Sequence, residues 1–169
     1  MMPTITEGKL QFEFPAAWEA SKFDEWSFYV NQFQSVCGGS KAVDVIAIEP
    51  NGCLWKIEAK DYRQHRRTKT IDLAEEIATK ARDSLAAIMA AQANANDADE
   101  KRIARRAVRC PRIRIVLHLE QPAKQSKLFP RAIDPAKVQQ RLKQLLKAID
   151  PHPLVVEIGR MQGVAWSVQ

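Results

Sequence analysis

The chain has 169 residues, 46% of them hydrophobic, and a formal net charge of +6. That length suits one compact domain that buries roughly two-thirds of its unfolded surface, and the hydrophobic content excludes a disordered chain. No apolar run approaches the ~20 residues of a membrane-spanning helix, the N-terminus lacks a basic-then-apolar leader pattern, and Cys37, Cys53 and Cys110 form no CxxC pair, so a cytoplasmic protein without a structural zinc or disulfide framework is expected.

In chain order, residues 10–14 alternate apolar and polar side chains, as a short edge strand does. A helical pattern covers about 15–33, with Pro15 suited to a first turn, a break and restart near Ser21, and Trp26, Tyr29, Val30 and Phe33 as its core stripe. Gly38-Gly39 breaks the chain. Two strands, about 42–49 and 53–61, flank Pro50-Asn51-Gly52, which fits a three-residue hairpin loop with glycine in the left-handed position. Thr70 is expected to cap a long helix with Asp72 in its first turn and Leu73, Ile77, Ala81, Leu85 and Ile88 on its buried face. A polar loop, a short helix over about 99–109, a strand over 112–120, a helix opening at Asp134-Pro135 and two closing strands near 154–158 and 164–168 complete the chain. Helical segments interspersed with strands imply one α/β domain over 1–169, with a mixed central sheet flanked by helices.

The hairpin poses a chemical problem. Counting symmetrically from the loop pairs Glu49 with Cys53, Ile46 with Lys56, and Asp44 with Glu58, and puts Glu58 and Lys60 on the face of Asp44. Directly opposed residues hold their Cβ atoms about 4.5–5.5 Å apart, so two carboxylates in an apolar run would repel. Lys60 could compensate them, and so could Mg²⁺ or Mn²⁺, which favour oxygen ligands. A structural ion pair neutralised by Lys56 and Lys60 is the alternative.

An aspartate on one strand, a turn, and Glu-x-Lys on the next resembles the PD-(D/E)XK nuclease superfamily, over about residues 15–120, with Val43 where the motif has proline. The resemblance implies a restriction-endonuclease-like core (α-β-β-β-α-β) with a C-terminal helix and strand added. It implies a Mg²⁺- or Mn²⁺-dependent nuclease in which Asp44, Glu58 and the carbonyl of Ala59 hold the metal and Lys60 activates water. An acid from the first helix often joins such sites; Glu25 is preferred over Glu19 because it lies beside Trp26 and Tyr29.

Cations crowd two places. Arg63, Arg66, Arg67 and Lys69 follow the Glu-x-Lys strand, with Tyr62 offering a stacking face, and Arg102, Arg105, Arg106 and Arg109 share one face of the short helix. Either group could clamp phosphates, or could be a solvated face. His118 and His152 have no partner at ligand spacing and are expected to be structural. The expected function is therefore a DNA nuclease of defence, mobile elements or repair, acting as a homodimer or with a partner protein. The alternative is an inactive nucleic-acid-binding or assembly module on the same nuclease fold.

Overall fold

A computed structural model describes residues 1–128 and 131–169. Two sheets organise the chain. The hairpin β1 (Thr4–Glu7) and β2 (Leu10–Glu13) is joined by the C-terminal β8 (Ser167–Val168) in a three-stranded sheet. The larger sheet has the order β3 (Glu19–Lys22), β4 (Val45–Glu49), β5 (Cys53–Asp61), β6 (Arg112–Glu120) and β7 (Leu154–Val156). Its first three strands are antiparallel, and β5, β6 and β7 run parallel. Parallel neighbours need long connections: α1 (Leu73–Asn94) and α2 (Ala98–Ala107) link β5 to β6, and α3 (Pro135–Leu146) links β6 to β7. This is the mixed α/β architecture expected.

The β4–β5 hairpin has the register counted from its loop. Glu49 lies opposite Cys53, Ile46 opposite Lys56 and Val45 opposite Ile57, which carries Asp44, one residue before β4, to a position opposite Glu58. Gly52 donates to the Glu49 carbonyl at 3.0 Å with φ of +83°. A Cβ there would lie 3.0 Å from Pro111 Cδ, so glycine is required by both backbone conformation and space.

The first helix does not exist as expected. Residues 19–22 pair with residues 45–48 as the edge strand β3, and only a 3-10 turn (Phe23–Glu25) and a π-helical turn (Tyr29–Phe33) follow. The backbone groups along β4 need partners on both sides, and β3 supplies them where a helix could not. The aromatic residues are core residues nonetheless: Trp26 and Phe23 meet edge-on at 4.9 Å, and Trp26 Nε1 donates to Ser21 Oγ. Val30 is exposed. Helix α1 is capped by Asp72, whose carboxylate accepts from the Glu75 amide, rather than by Thr70. Asp97 and Asp134 cap α2 and α3, with Pro135 in the first turn of α3.

Strand alternation gives β4 and β5 two different faces. One packs Val45, Ala47, Trp55 and Ile57 with Phe12, Phe14 and Trp166 against the small sheet. The other faces α1, and carries Lys56, Glu58 and Lys60 beyond the apolar patch of Ile46, Ile48 and Leu54.

Candidate functional site

The α1 side of β5 places charge where a core would be. Glu58 is fully buried, and its Oε1 lies 2.7 Å from Lys60 Nζ and 2.5 Å from Lys80 Nζ. Lys80, reaching down from α1, is also 3.8 Å from Asp44 Oδ1, while Asp44 Oδ2 accepts the Ala59 N–H at 2.7 Å. Lys60 continues to Glu76 at 3.3 Å, and Glu76 is held in turn by Lys69 at 2.6 Å and Arg67 at 2.7 Å. Three acids and four cations thus form one chain of ion pairs. The structure brings Asp44, Glu58, Ala59 and Lys60 together; Lys80 and Glu76 join them from α1, one turn apart on a face the helical period could have shown.

The charges respond to this packing. Burial, and then the Glu58 carboxylate, push Asp44 up to about 7 against the pull of Lys80 and the Ala59 amide. Burial would lower Lys60, but Glu58, Glu76 and Asp44 hold it above the usual lysine range. Burial would raise Glu76, yet its bonds to Lys69 and Arg67 bring it to about 2. Lys56 is different. It is completely buried, its Nζ donates to the Ala81 carbonyl at 3.1 Å, and burial depresses it well below the lysine range. Lys56 therefore does not neutralise the acids of the hairpin, contrary to the ion-pair alternative drawn from sequence.

A second convergence was not legible in the sequence. Oxygens of Glu7 from β1, Asp24 from the 3-10 turn and Asp44 lie within 4.8 Å of one another. Burial, then Asp44 and Glu7, raise Asp24 to about 6, and its Oδ1 is buried without a hydrogen-bond partner. Three carboxylate oxygens are the donors Mg²⁺ and Mn²⁺ prefer, so these residues fit a hard cation. Glu58 is outside this group. Glu25 is exposed and bonded to Lys22 at 2.6 Å, which reaches Glu7 at 3.1 Å, so it stands behind the cluster rather than in it. Glu19 points elsewhere, to Arg102 and Arg106. No sequence pattern links Glu7 to Asp44; only the packing of the small sheet against the large one joins them.

A cleft of about 570 Å³, lined by Tyr29, Lys41, Lys69, Glu76 and Lys80, has one member of this cluster, Asp24, in its wall. It mixes both signs of charge and so could take a phosphate beside a cation.

The basic residues divide by what they touch. Arg63 is clamped on Asp61, Arg67 and Lys69 on Glu76, and Arg102 and Arg106 on Glu19. Arg66 donates to the carbonyls of Lys127 and Leu128 and Arg105 to that of Gln92, and among the described residues neither meets a carboxylate within ion-pair distance. Arg109 is exposed. Two clusters that looked uniformly basic are therefore largely internal ion pairs. His118 is buried, 2.8 Å from Glu120 and edge-on to Phe12.

No family model and no solved structure matches the chain. Its sequence is similar to a cysteine–tRNA ligase of Neisseria meningitidis serogroup A, with 37% identity over 163 residues, covering 79% of this chain and 23% of that protein. The chain thus spans about a quarter of the length of the curated relative it matches. This overturns the expected assignment. The similarity is to a tRNA ligase, which is an enzyme, and neither the PD-(D/E)XK identity nor the DNA-nuclease function stands, nor does an inactive module on that nuclease fold. The physical reason is plain in β5. Glu-x-Lys on a strand puts both charges on one face, here turned to α1, whatever chemistry follows. Among the described residues, no helix is long and apolar enough to cross a membrane.

Proposed function

We propose that the chain is a tRNA-binding module of an aminoacyl-tRNA-synthetase-related protein. The observation that carries this is the 37% identity to a cysteine–tRNA ligase over most of the chain. The shared segment is 23% of that ligase, so the whole ligase's activity is not carried over to the chain. The charge of +6 supports a phosphate-bearing partner, and Lys41 gives the cleft a cation that a phosphate would meet, beside Lys69 and Lys80, which are bonded to Glu76 and Glu58.

A hard divalent cation, Mg²⁺ or Mn²⁺, is the second part of the proposal. Glu7, Asp24 and Asp44 would hold it, favoured by their convergence within 4.8 Å and the unpartnered Asp24 oxygen. When bound, such an ion would relieve the repulsion among these carboxylates and present a positive centre to a phosphate in the cleft. On this view Asp44, Glu58 and Lys60 act as a charge-balanced support: Glu58 fixes Lys60 and Lys80, and the Ala59 amide orients Asp44.

Fluorescence anisotropy of labelled tRNA and of a duplex DNA of similar charge, at roughly 0.15 M salt, tests the partner. Tighter binding of tRNA is expected. Equal binding of the two, or none, would remove the proposal.

A further inference from the structure

Helix α3 carries Lys137, Arg141, Lys143 and, at its C-cap, Lys147, with no acid between Pro135 and Ile149. Its Leu142 and Leu146 are buried against Leu73, Ala74 and Ile77 of α1. At 3.6 residues per turn the cations, with Gln140 and Gln144, fall on the opposite side, and all six are exposed. Of the four cations, Arg141 pairs with Glu75 of α1 at 3.1 Å. Lys137, Lys143 and Lys147 meet no carboxylate within ion-pair distance among the described residues. That separates α3 from the arginines of α2, two of which are spent on Glu19.

We propose that the outer face of α3 is a docking surface for the sugar-phosphate backbone of structured RNA, an inference that rests on the tRNA reading above. From Lys137 to Lys147 the face is roughly 15 Å long at 1.5 Å per residue, enough to follow several phosphates of one strand. The amides of Gln140 and Gln144 lie among the cations and can both donate and accept, which suits 2′-hydroxyls; folded RNA presents these with its phosphates across a shallow minor groove. An anionic membrane is the poorer fit. An interfacial helix inserts its apolar face, and that face of α3 is already buried on α1. Uncompensated lysines, rather than net charge, make the surface.

The experiment uses the full chain with Lys137→Gln, Lys143→Gln and Lys147→Gln together and bulk tRNA as probe, with affinity measured against salt. Each lost phosphate contact should reduce the slope of log K against log salt by about 0.7–0.9, so the triple variant should lose about 2 from the wild-type slope. The Lys→Arg triple should keep it. Lys101→Gln, Arg105→Gln and Arg109→Gln remove the same charge from α2 and the turn after it and should cost less slope; an equal loss would reduce the effect to net charge and overturn the assignment. Wild-type tRNA binding with an unchanged slope in the α3 variant would also overturn it, while leaving the tRNA reading intact. No tRNA binding by the wild type would remove both. Loss of binding to phosphatidylserine vesicles alone would turn the face into a lipid surface instead. Should the triple variant fail to fold by circular dichroism, Lys143→Gln alone carries the test, with an expected slope loss of just under 1.

Discussion

The two faces of the β4–β5 hairpin solve opposite problems with alternate residues of the same strands. On one side Trp55 stacks with Trp18, meets Trp166 edge-on and carries Arg114 over its ring, while Phe14 and Phe12 fill the space under the small sheet. On the other side Glu58 is fully buried and Lys60 and Lys80 are half-buried, all held by charge pairing, beside an Asp44 that burial and the Glu58 charge raise to about 7. Burial stabilises the first face by removing apolar area from water. It penalises the second, which holds only while every charge has its partner.

This contrast can be broken at graded strength. The largest effect is expected on the apolar face: Phe14→Ala, from a fully buried ring in contact with Trp18 and Trp166, should cost about 3–5 kcal/mol, read by urea denaturation. Next is Lys80→Met. It leaves the buried Glu58 with Lys60 as its remaining close cation, so the loss should be that of one charge-assisted hydrogen bond, about 1.5–3 kcal/mol. A loss under about 1 kcal/mol would place Lys80 among ordinary surface ion pairs.

Smaller, and of opposite sign, is Lys56→Met. Lys56 is buried with a single carbonyl as hydrogen-bond acceptor, so an apolar side chain of similar length should stabilise the protein by about 1 kcal/mol or more. Its folded pKa lies below 10.5. Between those two values the unfolded chain binds the extra proton, so this residue makes stability rise with pH and be lost as pH falls. Lys56→Met should flatten that dependence in melts recorded across pH. The opposite pH dependence belongs to Asp24 and Asp44, whose folded values are raised to about 6 and about 7 from 3.8. There the native state holds the extra protons, so stability from these groups falls as pH rises from about 4 through 7. Mg²⁺ or Mn²⁺ should raise the melting temperature above pH 7, and Asp24→Asn should reduce that increase. An unchanged melting curve would leave the cluster without a cation.

How much of this was visible in the chain follows from the range of each interaction. The hairpin was, because proline, glycine and a two-residue period specify loop and register within twenty residues, and Asp44 opposite Glu58 came with them. The region before it was not. Trp26 and Tyr29 have helical spacing and are buried, but the edge of β4 took residues 19–22 as a strand, a tertiary demand that local periodicity does not contain. Glu7 and Asp24 were missed for the same reason: their meeting with Asp44 depends on how two sheets pack. The basic runs misled in the other direction, because a sequence shows arginines and not the carboxylates that occupy them, while the lysines of α3, spaced among glutamines, form no run. Glu-x-Lys was legible as charge on a strand and misleading as a family signature.

Amide hydrogen exchange with and without saturating tRNA addresses the central claim most directly, since it reads both faces at once. Slowed exchange is expected along α3, around the cleft at Lys41 and Lys69, and in the first turns of α1, with β2 and β8 over the tryptophan cluster unchanged. Protection confined to the small sheet, or no protection anywhere in the chain, would contradict it.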